Sequence, residues 1–280
     1  MAPFLVLIAC TDEPPPELVV ATQNAGTTPY LDLVEESSLR KTCEDSYENN
    51  LCTLPAEMAL ADALADDPPD VLFLQEIWHP EWCEGLDADA MVEPFACAGE
   101  GHPLDRVLPP GMTWQCSPAY PDNCIATSDR FDADTWTDLG ADCSGPGRTA
   151  LFTGLLDEVP TTLVVVHTNA GFGQDDVDCR VEEFADIEEH LVGLDDVLIL
   201  GGDVNHDPSV DREDSAAFAQ LLDAAGMIRL EDDGPTARLL DQDLDVVATR
   251  HALPYGDCTV VFVDAGTSPL MFDHGLLTCR

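Results

Sequence analysis

Asp203 and Asn205 stand two residues apart in the stretch Val197–Pro208, VLILGGDVNHDP, just after a run of four apolar residues. A carboxylate binds a hard divalent cation or orients a water, and a carboxamide donates to a phosphoryl oxygen without adding negative charge. Other apolar runs end in the same way. Asn24 closes LVVATQN, Glu76 follows DVLFLQ, and His167 closes LVVVH. Asp245 is embedded in LDVVAT, and Asp273 and His274 precede Leu276 and Leu277. An acid delivered by a fully apolar strand is costly unless it meets a cation, a partner or solvent, which makes Glu76 a candidate metal ligand. A buried Asp245 requires a partner, and an imidazolium is a natural one. Together these groups could activate a water, neutralise nonbridging oxygens and protonate a leaving group, the three demands of phosphate-ester hydrolysis.

The elements that must position them follow from patterning. Val197–Leu200 and Val71–Leu74 read as strands buried on both faces. Leu18–Asn24, Asn123–Ser128, Arg148–Leu155, Leu163–His167, Leu244–Thr249 and Thr259–Val263 read as further strands. Gly201 and Gly202 are expected to turn the backbone where their strand ends, and strand alternation would then put Asp203 and Asn205 on one side. Pro55–Ala65 is rich in Ala and Leu and predicts a helix over the sheet. Phe184, Ile187 and Leu191 share one face of a second helix. A third carries Phe218, Leu221, Leu222 and Ala225, with Asp214 and Ser215 as its caps and Gly226 at its end. Residues 79–122 show no clear period and are expected to form disulfide-stapled loops at the mouth of the site.

The 280 residues suit one large core, with 55 acidic residues against 11 basic ones and a formal net charge of −44. Lys41 is the only lysine. Such a surface repels polyanions, so chemistry on phosphate needs a mediating cation. Phe4–Ala9 is too short to cross a bilayer, which takes about 20 residues, but Leu7 to Cys10 is similar to a bacterial lipobox with Cys10 as the lipidated residue. Residues 1–17 are therefore expected to be a signal-like segment and Pro-rich tether, and residues 18–280 a single domain. Ten further cysteines allow five disulfides, as in an oxidising compartment. Close spacing suggests Cys43 with Cys52 and Cys116 with Cys124. An exported protein, attached to a membrane surface through Cys10 or extracellular, is expected, and a monomer.

TQN, DVLFLQE, VVVH, LILGGDVN, LDVVAT and FDHGLL, in this order, resemble the endonuclease/exonuclease/phosphatase superfamily, over about Leu18 to Leu277. The resemblance implies a four-layer α/β sandwich, with two mixed sheets face to face, helices outside, and a site where strands end. It implies that Asn24 and Glu76 hold Mg2+ (or Mn2+ or Ca2+) with Asp273 nearby, that Asp203 orients the attacking water, and that Asn205 holds a phosphoryl oxygen. His274 would take the proton from water. His167, kept charged by Asp245, would stabilise the developing charge or protonate the leaving oxygen. Gln23, Val166 and Phe272 stand where that family often has Trp, Thr and Ser, departures that bear on substrate choice. The implied substrates are phosphoesters: nucleic acid, a phospholipid headgroup as in sphingomyelinase-type phospholipases C, or a small phosphate ester. Few basic residues weigh against nucleic acid. A noncatalytic surface lipoprotein of the same fold is the rival expectation.

Overall fold

The computed structural model describes residues 17–29, 38–207, 209–237, 242–250, 258–263 and 270–280. Cys10 and the lipobox-like run lie outside the described residues. Among the described residues there are two six-stranded mixed sheets. The first runs β12 (Cys258–Val261), β14 (Leu276–Cys279), β1 (Val20–Asn24), β3 (Val71–Gln75), β5 (Cys124–Thr127) and β4 (Thr113–Cys116). The second runs β10 (Ile228–Arg229), β11 (Asp245–Arg250), β9 (Val197–Asp203), β8 (Val159–His167), β7 (Thr149–Leu156) and β6 (Phe131–Leu139). A short pair, β2 (Thr27–Pro29) with β13 (Leu270–Phe272), completes the strands. The helices are α1 (Ser38–Tyr47), α2 (Leu54–Asp66), α3 (Pro103–Val107), α4 (Gln174–Leu191) and α5 (Glu213–Ala225).

The uninterrupted apolar runs are explained by burial on both faces of each sheet. Phe73 points between the sheets and packs in one cluster with Ile125, Phe152, Leu163, Val165, Ile199 and Val247. Its neighbours Leu72 and Leu74 point the other way, into a cluster with Leu60 and Leu64 of α2 and Leu104 of α3. Val164, Val166, Leu198 and Leu200 likewise pack with Phe184, Ile187 and Leu191 of α4 and Phe218 and Leu221 of α5. The result is the expected four-layer α/β sandwich. On α4, like-charge neighbours such as Asp178 and Glu182 cost about 0.2–0.5 kcal/mol a pair. Full burial of each large apolar side chain contributes roughly 1.5–3 kcal/mol, so the apolar face decides.

Gly201 and Gly202 correct the expectation of a turn: both lie inside β9. A Cβ on Gly201 would sit 2.1 Å from the Phe73 ring across the sheets. Gly202 has φ +141°, and a Cβ there would meet the Val166 carbonyl oxygen at 1.9 Å. The glycines thus let two sheets and two adjacent strands approach closely. Gly201→Ala is expected to cost about 1–3 kcal/mol through overpacking, read as a lower urea midpoint with an unchanged slope; an unshifted midpoint would show that Phe73 yields freely.

Asp214 and Ser215 do not cap α5. Its N-cap is Arg212, and Asp214 is fully buried against Arg180, while Gly226 ends the helix as expected. β6, of which only the ends are buried, escapes patterning because acids and Thr fill an edge strand and a bulge interrupts its register between Ala133 and Thr135. Residues 79–122 hold short helical turns, α3 and the edge strand β4 rather than loop alone. The five disulfides are Cys43–Cys52 and Cys116–Cys124, both as expected, with Cys83–Cys97, Cys143–Cys179 and Cys258–Cys279. No described helix is long and apolar enough to cross a membrane.

Candidate active site

Strand direction gathers the polar strand ends at one rim. β1 and β3 are parallel with Asn24 level with Gln75, and β8 and β9 are parallel with His167 level with Asp203. β11 runs antiparallel to β9, so its first residue, Asp245, lies opposite the last residue of β9, Asp203. Glu76, one residue past β3, adopts φ +57°. His274 follows β13 and is bridged to Ala237.

Side-chain geometry makes these ends one cluster. Asn24 Nδ2 donates to Glu76 Oε1 at 2.9 Å and to Asp203 Oδ2 at 3.0 Å. His167 Nε2 is 3.6 Å from Glu76 Oε1. His274 Nδ1 lies 2.7 Å from Asp245 Oδ2, and its Nε2 faces Asp203 Oδ2 at 3.8 Å. Asp203, Asp245 and His274 each offer an atom within 4.8 Å of the others, a grouping able to hold a metal ion. The Nδ1–Oδ2 distance is that of a charge-assisted hydrogen bond, however, so Asp245 is better described as orienting the imidazole. Asp273 is close enough to Glu76 for their charges to repel.

Several expectations change. Asp245 is paired with His274, not with His167, because β11 lies beside β9 and opens toward the turn that carries His274. Nor is His167 kept charged: burial lowers its pKa to about 4, with Arg148 and His274 adding to the effect and Asp203 opposing it. Asn24 Oδ1 accepts from Gly26 N at 2.9 Å, while its nitrogen bridges the Glu76 and Asp203 carboxylates. Asn205 is brought to the rim by an Asx turn, its N–H donating to Asp203 Oδ1 at 2.7 Å with φ +50°, and not by strand alternation. One amide hydrogen of Asn205 goes to Thr168 O at 2.9 Å, which leaves the second for another acceptor.

The electrostatics are those of a site short of positive charge. Burial and then Asp273 push Glu76 up to about 8, against the hydrogen bond from Asn24, although 26% of the Glu76 side chain is exposed. Burial raises Asp203 also, with Asp245 adding to it and His274 opposing. Burial alone would lower His274, but Asp245 and Asp203 hold it well above the ordinary histidine value. Oxygen donors that mutually raise their own pKa values fit a hard divalent cation.

Other residues shape the site, and of these Thr236 and Tyr120 carried no sequence signal. Thr236 Oγ1 accepts from the N–H groups of Leu244 and Asp245 at 2.9 and 2.8 Å, fixing the entry into β11. Gln23 donates to His274 O at 3.2 Å. Tyr120 meets the His167 ring edge-on at 6.2 Å, with the Arg148 guanidinium 4.8 Å from the tyrosine centroid. Phe272 is fully buried among apolar side chains, so that the chain turns back to the rim at Asp273 and His274.

Two packed mixed sheets with helices outside and polar strand ends on one rim define the deoxyribonuclease I-like α/β sandwich. No family model matches the chain, and no curated protein matches its sequence. Solved structures match over 94% of it. D. rerio TDP2 complexed with a single-strand DNA product aligns with TM-score 0.60 at 13% identity over 97% of that chain. The human nocturnin catalytic domain with bound sulfate aligns with 0.58 at 16% over 93%. An endonuclease/exonuclease/phosphatase family protein from Leptotrichia buccalis aligns with 0.56 at 16% over 98%. The chain therefore shares the fold of these proteins.

Proposed function

We propose that the protein is an exported, divalent-cation-dependent phosphodiesterase. The observation that carries this reading is the pairing of a buried Asp245–His274 hydrogen bond with Asp203, Glu76 and His167 on one rim. The bound sulfate of nocturnin and the DNA product of TDP2, both on this fold, support an oxyanion as the ligand. The five disulfides support an oxidising compartment, and lipidation at Cys10 would add a membrane anchor.

Glu76 and Asp273 are the residues to hold Mg2+, Mn2+ or Ca2+, whose contribution when bound is to neutralise the nonbridging oxygens. The remaining work belongs to the chain. Asp203 aligns a water, and His274, its Nδ1 fixed by Asp245, takes the proton through Nε2. Asn205 donates its second amide hydrogen to a phosphoryl oxygen. His167 is kept neutral by burial, so its role is to donate a hydrogen bond to the leaving oxygen from the imidazole, not to bring a standing positive charge.

Bis-para-nitrophenyl phosphate hydrolysis tests the assignment. Turnover is expected with a divalent cation, lost in EDTA and restored by adding the cation back. Inactivity across Mg2+, Mn2+ and Ca2+ would favour a noncatalytic surface protein of the same fold.

A further inference from the structure

Gly26 lies just past the end of β1, and its backbone is outside the left-handed region that so often selects glycine. Space is what selects it here. A Cβ on Gly26 would sit 2.0 Å from Glu76 Oε2, 3.0 Å from Glu76 Cδ and 3.1 Å from Asn24 Oδ1. The glycine is therefore a bare shelf against which the Glu76 carboxylate lies. Its N–H also donates to Asn24 Oδ1 at 2.9 Å, and Asn24 Nδ2 in turn donates to Glu76 Oε1 at 2.9 Å. One residue thus bears on Glu76 twice, directly through its missing side chain and indirectly through its amide.

The main chain on both sides of this contact is tied down. Ala25 N donates to Gln75 O at 2.9 Å and Thr27 N to Asn49 O at 2.6 Å, so the residues flanking Gly26 are held to β3 and to the loop closed by the Cys43–Cys52 disulfide. The same loop holds Glu76, whose carbonyl accepts from Leu51 N at 2.9 Å. Glu76 has φ +57°, a conformation that a residue with a side chain keeps only where its surroundings fix it. What can yield to an added methyl is the far end of the Glu76 side chain. We propose that Gly26 is a positioning residue for the cation: the lack of a side chain there sets where the Glu76 carboxylate stands, and a Cβ would displace that carboxylate while leaving the fold in place. This rests on the divalent-cation reading of the site. A glycine kept only for close packing predicts lost stability instead of lost cation affinity.

Titration with Mn2+, followed by electron paramagnetic resonance, reads the site without turnover. Gly26→Ala keeps the N–H that Asn24 accepts, so the added methyl is the only change. Its Mn2+ affinity is expected to fall about 10–100-fold, the usual effect of disturbing a group that orients a metal ligand, with the thermal midpoint in EDTA little changed. In hydrolysis of bis-para-nitrophenyl phosphate the Mn2+ concentration giving half the maximal rate should rise by the same factor, while kcat at saturating Mn2+ falls far less. Glu76→Asp draws the carboxylate back from the shelf, so adding Gly26→Ala to it should weaken Mn2+ binding no further. That non-additivity isolates the contact between the two residues, and it is read in the double variant even where Gly26→Ala alone folds poorly. Equal Mn2+ affinity of Gly26→Ala and the native protein, or costs that simply add in the double variant, would overturn the assignment and leave the function standing. The expected losses of affinity in a protein that hydrolyses no phosphodiester would do the reverse. A native protein that binds no Mn2+ would overturn the cation reading and this assignment together.

Discussion

His274→Ala is expected to lower kcat on any hydrolysed phosphodiester by about 10³-fold or more, within the range for removing a general base, and to lower the thermal midpoint as well, because it strips the partner from the buried Asp245 carboxylate. His274 ends a chain of contacts, Thr236 to Asp245 to His274, that serves to aim one nitrogen at Asp203. Because Asp245 and Asp203 hold its pKa well above the ordinary value, the rise in activity that follows its deprotonation is displaced toward higher pH. The activity of the native protein is therefore expected to climb with pH above about 6.5, the unperturbed histidine value. Asp245→Asn removes the larger of the two raising influences, so the His274 pKa falls and the acid limb of the pH–rate profile moves to lower pH. The plateau rate also falls, because an amide holds the imidazole less firmly. A His274→Ala protein that still turns over would remove it as base. An acid limb that stays in place in Asp245→Asn would show that this limb belongs to another group.

Asp214→Ala is expected to cost about 3–5 kcal/mol, the usual consequence of stripping one partner from a buried ion pair. Arg180 is fully buried, with its Nη2 2.8 Å and its Nε 2.9 Å from Asp214 Oδ2. Its Nη1 donates to Asn169 O and Gly171 O at 2.7 and 2.9 Å, in the loop that follows His167. The pair thus joins α4, α5 and the exit of β8. Removing the carboxylate leaves a guanidinium charge inside the protein. Replacing both partners, Arg180→Met with Asp214→Leu, should recover most of the loss, since an apolar pair needs no charge balance. Burial acts to raise Asp214, but the hydrogen bonds from Arg212 and Arg180 outweigh it and leave its pKa below the ordinary 3.8. Its share of stability is accordingly present above the unfolded value and is lost as pH falls through the folded one. Urea midpoints at pH 7 measure both variants, and equal midpoints for the single variant and the native chain would show that Arg180 finds other partners.

Several elements were legible because one local rule decides each of them. Apolar runs such as VLFL and VLIL have one low-energy place, a strand covered on both faces, and the polar residue that follows each run must stop at the rim. β6 was not legible, since an edge strand is built largely of the residues that also fill loops. Gly201 and Gly202 looked like a turn because the sequence does not contain Phe73 or Val166 as their neighbours.

By itself the sequence determined which side chains could do the chemistry and that strands would deliver them: Asn24, Glu76, His167, Asp203, Asp245 and His274 all reach one rim. Tertiary structure alone decided who pairs with whom. Asp245 belongs to His274 because β11 lies beside β9, and Tyr120 reaches His167 from a segment without period. Periodicity records the environment each residue needs along its own element. Hydrogen-bond partners more than 25 residues apart are fixed by strand order and sheet packing, which no local pattern encodes.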